Sequence, residues 1–322
     1  MFQTPILLIT FNRPDHVRQV LTEIRRQQPA QLFVCQDGAR KGNAFDNKRV
    51  QEVRDVINNL VDWPCELHTL YQENNLGCGS GPAAGITWFF EHVEMGIILE
   101  DDAVPHPDFF EYASTLLEKY KDDESVRAIG SMNVDTQKWG DGSYYFSMMN
   151  RNLCAWATWR RAWQAFDLRL MDVSKCHMQR VLRKYGCSMT EREYWCDRLA
   201  EIQKDCCGGA SWDMQFFMSI WLSEGKGIIP NVNISSNIGT VGEATHQMAA
   251  GNIIDNVPTH PILPLIHPST TNVQGEADRQ FHYRYFEPGK QNWPWWLISY
   301  NILNRRVKKL LGIKGPIRKR RS

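Results

Sequence analysis

The sequence predicts an α/β fold in which helices cover both faces of a mostly parallel β-sheet. Between residues 5 and 99, four short predicted strands, three of them apolar runs, alternate with segments that have the spacing of amphipathic helices. The connections are short, and a polar cluster follows each apolar run. Such runs are typical of strands buried on both faces, and their alternation with helices favours parallel pairing. Ligands of such sheets bind beyond the carboxyl ends of the strands.

The first two strand–helix units occupy residues 5–60. Residues 5–11 (PILLITF) form the first predicted strand, and Pro14 suits the first turn of a helix that runs to about residue 27. Residues 32–36 form the second strand, which ends at Asp37-Gly38. The helix after it carries apolar residues at helical spacing, namely Val50, Val53, Val56, Ile57 and Leu60.

The third and fourth predicted strands lie on either side of a glycine-rich segment. Residues 65–71 form the third strand, and residues 74–81 (NNLGCGSG) form the loop after it. A helix is predicted from Pro82 to about residue 92, followed by a fourth strand at residues 96–99. This strand ends in Glu100-Asp101-Asp102. The polar clusters after all four strands are therefore expected at one edge of the sheet.

Beyond residue 105 the alternation weakens. The predicted elements there are a helix at 108–120, a strand at 127–132, an aromatic-rich stretch at 144–163, a helical or irregular region at 176–207, a helix at 211–222, a strand ending at 230, and a loop-dominated region from 231 to 288. Trp156, Trp159 and Trp163 suit either a wall on which a sugar ring stacks or one buried face of a helix.

Charge is divided unequally along the chain. The formal net charge is +1, from 37 Lys and Arg against 36 Asp and Glu. Residues 289–322 hold ten of the basic residues and no acidic one, which leaves 27 basic and 36 acidic residues in the first 288, a balance of −9. Because a nucleic-acid-binding domain spreads positive charge over a folded face, we expect no nucleic-acid partner for the body of the protein.

The acidic triplet Glu100-Asp101-Asp102 predicts a cation-dependent site. Three adjacent carboxylates repel one another, so holding them at a strand end is unfavourable without a counter-cation. Mg²⁺ and Mn²⁺ take oxygen ligands from one or two carboxylates together with the phosphates of a substrate. A solvated acidic turn is the alternative. The position beyond a buried strand, opposite other polar loops, favours a metal and phosphate site.

Four short motifs occur in an order that resembles GT-A-fold glycosyltransferases: Thr10-Phe11-Asn12-Arg13-Pro14, Asp37-Gly38, Asn74-Asn75-Leu76-Gly77 and Ile98-Leu99-Glu100-Asp101-Asp102. The resemblance is in particular to the family-2-like nucleotide-diphospho-sugar transferases of bacteria, and the Glu-Asp-Asp form is also similar to the N-acetylglucosaminyltransferase I type. It extends from residue 4 to about 110, is thinner from 156 to 246 and is absent beyond about 260. It implies a GT-A, Rossmann-like sheet.

The resemblance also implies roles for individual residues. Asp102 would ligate Mn²⁺ or Mg²⁺ directly, while Glu100 and Asp101 would bind ribose or metal-bound water. Asp37 would accept a hydrogen bond from a uracil ring, and the glycine-rich loop would close on the nucleoside and phosphates. The other implied nucleotide-sugar-binding residues are Thr10, Phe11, Arg13, Asn75 and Gly77.

Two later residues complete the implied site. Asp213, after Trp212 at the start of a helix, would be the catalytic base, and His246 would be a further metal or pyrophosphate ligand. A carboxylate can take the proton of an acceptor hydroxyl, and a base opposite the leaving group gives inversion. A bound cation neutralises the charge of the leaving nucleoside diphosphate. Asp213 is alternatively a helix N-cap, and His246 an ordinary loop histidine.

Other interpretations fit less of the sequence. Residues 77–81 approach a dinucleotide-binding glycine pattern, but Pro82 occupies the place of the third glycine. A sugar nucleotidyltransferase would carry a glycine-rich loop after the first strand, which is missing here. A noncatalytic carbohydrate-binding or assembly protein on the same fold is the alternative from another class. The cysteines between 154 and 207 include no C-x-x-C pair, which favours ordinary thiols over a zinc site.

The C-terminal segment predicts a membrane-proximal helical appendage. Residues that share one side of a helical wheel are Trp296, Tyr300, Leu303, Val307, Leu310 and Leu311. Basic residues lie opposite, which favours an interfacial helix on an anionic membrane. A helix docked on the catalytic domain is the alternative, and RNA binding a lesser one. Without a predicted signal peptide or membrane span, and with nine cysteines, the protein is expected in the cytoplasm, peripheral on the inner face of the membrane.

The expected organisation is a GT-A-like domain over residues 1–250, with a nucleotide-binding half to residue 110 and an acceptor half from 111. A loop-rich extension (251–288) and the basic tail (289–322) follow. The expected activity is metal-dependent transfer of a sugar from a nucleoside-diphosphate sugar, in particular a UDP-sugar, to a glycan or lipid-linked acceptor hydroxyl with inversion, in polysaccharide biosynthesis.

Overall fold

The computed structural model describes residues 1–135, 137–149, 155–205, 212–239 and 255–288, together with residues 300, 303, 304 and 307. The strands in this part of the chain are β1 (Ile6–Thr10), β2 (Gln31–Gln36), β3 (Glu66–Tyr71), β4 (Met95–Glu100), β5 (Ala103–Pro105), β6 (Val126–Gly130), β7 (Tyr144–Ser147), β8 (Ala155–Trp159), β9 (Lys226–Pro230) and β10 (Ser235–Asn237).

Helices follow most of these strands. They are α1 (Pro14–Gln27), α2 (Ala44–Leu60), α3 (Gly77–His92), α4 (Asp108–Lys119), α5 (Arg160–Trp163), α6 (Lys175–Lys184), α7 (Met189–Ile202), α8 (Asp213–Leu222) and α9 (Gly275–Phe281), with a π-helical turn at His282–Phe286. Among the residues described, no helix has both the length and the apolar character needed to cross a bilayer.

Eight of the strands form one sheet in the order β3-β2-β1-β4-β8-β6-β9-β7. The first four strands are parallel to one another. β8 is antiparallel to both β4 and β6, β9 is parallel to β6, and β7 is antiparallel to β9. The predicted mostly parallel sheet is confirmed, with the antiparallel pairs confined to the half that follows β4.

Both faces of the sheet are covered, as predicted. Ile6 and Leu8 of β1 belong to a core cluster with residues of α1, α2 and α4. Leu7 and Ile9 of the same strand belong to a second cluster with residues of α3, α6, α7 and α8. Since successive side chains of a strand point to opposite faces, two cores on one strand mean that helices pack on both sides.

Three local findings refine the sequence-based prediction. Helix α3 begins at Gly77 rather than at Pro82, so the predicted glycine-rich loop is largely the first turns of a helix. For the region 176–207, predicted as helical or irregular, the described part contains helices α6 and α7, each begun by a serine side chain that accepts a backbone hydrogen bond. The loop-dominated region after residue 231 contains β10, α9 and the π-helical turn.

The three tryptophans with two possible roles lie in the core. Trp156 and Trp159 are in β8 and Trp163 is in α5, and their exposed fractions are 0%, 3% and 5%. Trp156 stacks on Trp212 with ring centroids 5.5 Å apart. Because none of the three is open to solvent, they support packing rather than an exposed sugar-stacking wall.

Candidate functional site

The carboxyl ends of β1, β2, β3 and β4 lie at one edge of the sheet, and the predicted polar clusters follow them. The parallel register pairs Thr10 with Gln36 and Ile9 with Glu100, which aligns the ends of three strands. β2 and β3 are also aligned at their ends, through Gln36 and Tyr71. This register is what brings the segments after Thr10, Gln36, Tyr71 and Glu100 together, as expected for a sheet of this kind.

Arg13 is the cation that lies against the acidic triplet. Its guanidinium forms an ion pair with Asp101 and donates two hydrogen bonds of 3.2 Å to Oδ2 of Asp102. Asp101 also accepts a hydrogen bond of 3.3 Å from the backbone N–H of Phe11. Only 17% of the Arg13 side chain is exposed, against 5% for Asp101 and 14% for Asp102. Part of the charge repulsion predicted from the sequence is therefore compensated inside the protein.

Burial and neighbouring charges raise the pKa of two carboxyls of the triplet, those of Glu100 and Asp101. Burial, followed by the charges of Asp102, Asp213 and Asp101, raises the pKa of Glu100 well above its usual range, and Arg13 opposes this. Burial also raises the pKa of Asp101, again against the effect of Arg13. For Arg13, burial disfavours the charged form, but the two aspartates outweigh it and raise the pKa of the guanidinium. One arginine does not fully compensate three carboxylates.

Asp37 holds the start of α3 against the end of β2. Its Oδ1 accepts from the backbone N–H groups of Gly38 at 2.9 Å and Leu76 at 2.8 Å. Its Oδ2 accepts from the N–H of Gly77 at 3.0 Å and from Nδ2 of Asn75 at 2.9 Å. Burial raises the pKa of Asp37, and the backbone hydrogen bonds offset part of that effect. These four donors use the lone pairs that a carboxylate offers; a uracil contact stays a prediction.

The segment after β1 is packed between β2 and α2. Thr10 Oγ1 donates to a carbonyl oxygen of β2 at 3.3 Å, and the guanidinium of Arg40 lies 5.7 Å from the centre of the Phe11 ring. Arg40 also pairs with the buried carboxylate of Asp46, which accepts from Asn12 Nδ2 at 2.8 Å. A hydrogen bond from Arg40, against the opposing effect of burial, lowers the pKa of Asp46. Neither Arg40 nor Asp46 is among the site residues that the sequence predicts.

Asp213 lies close enough to this edge of the sheet for its charge to affect the pKa values of groups there. After burial and Asp102, it contributes to the raised pKa of Glu100. After burial, Glu100 and Asp37, it also contributes to the raised pKa of Cys78 in the first turn of α3. Asp213 is the first residue of α8, and Trp212 occupies the N-cap position. The alternative that Asp213 is the N-cap is therefore wrong. Asp213, Glu100 and the start of α3 share one neighbourhood.

One segment beside the triplet was missed by the sequence reading. β10 pairs antiparallel with β5, and the N–H of Ile238 donates to the carbonyl oxygen of Asp102 at 2.9 Å. A Cβ placed on Gly239 would fall inside van der Waals contact with Oδ2 of Asp102 and 3.1 Å from its Cγ. His16 Nε2 lies 3.2 Å from the carbonyl oxygen of Ile238. No local pattern signals these contacts, because they join distant parts of the chain.

His246, the second predicted metal ligand, lies outside the described residues. Within them, no group of three or more His, Cys, Asp and Glu side chains is arranged to hold a metal ion. Asp102 Oδ1, however, is buried and has no hydrogen-bond partner in the part of the chain that the structure describes. This single unbonded carboxylate oxygen fits a divalent cation that takes one oxygen ligand from the protein and further oxygens from phosphate groups.

Comparison with known proteins gives distant structural similarities. No family model and no curated protein sequence matches the chain. A mannosyltransferase from Pyrobaculum calidifontis, solved with GDP-Man and Mn²⁺, is similar at 14% identity over 68% of each chain, with a TM-score of 0.36. The galactosyltransferase LgtC, solved with donor and acceptor sugar analogues, has 11% identity over 88% of this chain and 96% of its own, with a TM-score of 0.38.

An apo UDP-glucose pyrophosphorylase is similar at 9% identity over 73% of this chain and 92% of its own, again with a TM-score of 0.38. Identities and TM-scores this low assign no activity to the chain, so its function has to be argued from its own residues.

Proposed function

We propose that this protein is a divalent-metal-dependent glycosyltransferase. It would move a sugar from a nucleoside-diphosphate sugar, in particular a UDP-sugar, to a hydroxyl of a glycan or lipid-linked acceptor. The observation that carries the proposal is one cluster of groups at the carboxyl edge of the parallel strands. It combines Oδ1 of Asp102, which is buried and has no hydrogen-bond partner within the described residues, with the cation Arg13 and with the carboxylate of Asp213, whose charge acts on Glu100.

Each group suits one requirement of the reaction. A cation bound at Asp102 Oδ1, with His246 as the further predicted ligand, would offset the negative charge of the nucleoside-diphosphate leaving group. Arg13 contributes a buried positive charge on the same side of the site. Asp213 is a carboxylate at the start of a helix, and as general base it would accept the proton of the acceptor hydroxyl. A base opposite the leaving group gives inversion at the anomeric carbon.

The first test is ligand binding. Thermal-shift measurements with UDP-, GDP- and TDP-sugars, with and without Mn²⁺, should identify a donor whose stabilisation requires the metal. Asp102→Asn should remove the metal-dependent part, whereas Asp62→Asn, which changes an exposed aspartate paired with Arg25, should keep it. Unchanged metal-dependent binding in Asp102→Asn would contradict the site assignment.

The second test separates binding from turnover. Asp213→Asn should keep donor binding and lower the rate of sugar transfer by roughly 10²–10⁴-fold, the usual contribution of a general base. Full turnover in this variant means that Asp213 is not the base. Binding of a sugar without any transfer would favour the noncatalytic alternative, and release of pyrophosphate from a nucleoside triphosphate and a sugar phosphate would favour a nucleotidyltransferase.

Membrane contact is a separate part of the proposal, since it depends on the basic tail. Deleting residues 290–322 should release the protein from anionic liposomes without changing donor binding. The ten basic charges in residues 289–322 are the reason for this expectation. Equal liposome partition of the full-length and shortened chains would refute it.

A further inference from the structure

The two carboxylate oxygens of Asp102 have different surroundings. Oδ2 accepts from both terminal nitrogens of Arg13, each at 3.2 Å. Oδ1 is buried and has no hydrogen-bond partner among the residues that the structure describes. One oxygen is thus hydrogen-bonded to the protein, whereas the other keeps its lone pairs unused within the described residues. A carboxylate that rotated freely would exchange its two oxygens. The difference between Oδ1 and Oδ2 therefore requires contacts that keep the Asp102 carboxylate in one orientation.

The backbone at Gly239 closes the space on the Oδ2 side. A Cβ at this position would overlap Oδ2 of Asp102 and lie 3.1 Å from its Cγ, and it would also lie 3.0 Å from Oδ1 of Asn237. Gly239 cannot easily move away, because its N–H donates to Oδ1 of Asn237 at 2.8 Å. The neighbouring Ile238 N–H donates to the carbonyl oxygen of Asp102 at 2.9 Å, within the pairing of β10 with β5.

Arg13 holds the same oxygen from another direction. Its guanidinium is itself fixed by the ion pair with Asp101, and Asp101 is held by the backbone N–H of Phe11. The carbonyl oxygen and Oδ2 of Asp102 therefore have hydrogen-bond partners, whereas Oδ1 has none within the described residues.

We propose that Gly239 is a positioning residue that, together with Arg13, orients Asp102 so that only Oδ1 is presented to a divalent cation. The inference rests on the proposed metal-dependent function. Any side chain at position 239 would force Oδ2 to move by roughly 1 Å to reach ordinary carbon–oxygen contact distance. That movement is larger than the tolerance of about 0.5 Å within which a binding group has to be held.

The test is the affinity of the apo protein for Mn²⁺ alone, measured by electron paramagnetic resonance of the free ion. Gly239→Ala should lower this affinity about 10–100-fold, as loss of an orienting partner of a metal ligand does. The matched control is Gly275→Ala. A Cβ at Gly275 meets nothing within 4 Å, so the affinity of this variant should equal that of the wild type. A Gly239→Ala protein that folds and binds Mn²⁺ within twofold of the wild type overturns the proposal.

A double variant covers the case in which Gly239→Ala does not fold. Asp102→Ala removes both carboxylate oxygens and leaves Oδ1 of Asn237, 3.0 Å from the new Cβ, as the remaining close contact. Gly239→Ala should therefore cost much less stability in urea unfolding in that background than in the wild type. If it costs as much in both backgrounds, the methyl group collides mainly with something other than Asp102 and the proposal is wrong. If the wild type itself binds no Mn²⁺, the proposed metal-dependent function fails first, and this inference fails with it.

Discussion

Arg13→Met tests whether Arg13 is the counter-cation of the acidic triplet. Methionine keeps much of the length and apolar stem of the side chain but removes the positive charge and all its hydrogen bonds to Asp101 and Asp102. The three side chains are 17%, 5% and 14% exposed. Removing one partner of a buried ion pair costs about 3–5 kcal/mol, because the other charge is left buried without compensation. We expect a loss of this size near pH 7.5.

The loss should depend on pH with a definite sign. The pKa of Glu100 and that of Asp101 are already raised, mainly by burial, and the charge of Arg13 opposes the rise. Removing Arg13 raises both pKa values further in the folded state. An acid whose folded pKa lies above its unfolded value contributes stability at low pH and loses it as pH rises through the folded pKa. The variant should therefore approach the wild type as pH falls toward the ordinary carboxyl pKa of about 4.

Urea unfolding followed by tryptophan fluorescence, at a series of pH values, measures this difference. Arg25→Met is the matched control, because Arg25 and Asp62 form an ion pair in which both side chains are about half exposed, and little change is expected. An Arg13→Met protein that is as stable as the wild type at pH 7.5 refutes the role of Arg13. A loss of stability that does not shrink on acidification shows that it comes from packing rather than from charge.

Three further predictions address neighbouring features. Cys78 is exposed, but desolvation of part of its side chain, with smaller effects from nearby carboxylates, raises the pKa of its thiol. Alkylation measured by mass spectrometry should therefore be slower at neutral pH than that of an ordinary exposed cysteine, and slower still with Mn²⁺ and donor. A fast, unprotected reaction would contradict the site's location. Asp37→Ala should reduce stability by roughly 3 kcal/mol and speed amide exchange at Gly77, whereas unchanged exchange would mean that α3 does not need this carboxylate. Ser188→Ala should cost about 1 kcal/mol in urea unfolding, since Ser188 and Glu191 form a capping box, and no loss would mean that water replaces the cap.

The strands of the proposed nucleotide-binding half could be predicted because a buried strand has a recognisable pattern of apolar residues in the sequence. β1, β2 and β4 are buried along almost their whole length, and a strand buried on both faces appears in the sequence as a continuous apolar run. β8 carries no such indication of its place. It enters the sheet between β4 and β6 and runs against both, and only long-range pairing decides that.

The start of α3, at the candidate site, is another feature that local sequence patterns could not predict. Proline and glycine preferences place its first residue at Pro82. The helix begins at Gly77 because Asp37, forty residues earlier in the chain, accepts the N–H groups of Leu76 and Gly77. A helix boundary that depends on an acceptor from another strand cannot be read from local preferences.

Local patterns in the amino-acid sequence are enough to predict the α/β class, the covered parallel half of the sheet, and the edge at which Glu100, Asp101 and Asp102 lie. Those features follow from local patterns of burial and from the rule that parallel strands end at one edge. Long-range contacts, in contrast, place Arg13 against the triplet and the backbone of Gly239 against one oxygen of Asp102. Such contacts depend on which distant segments meet, and the spacing of residues along one segment carries no information about that.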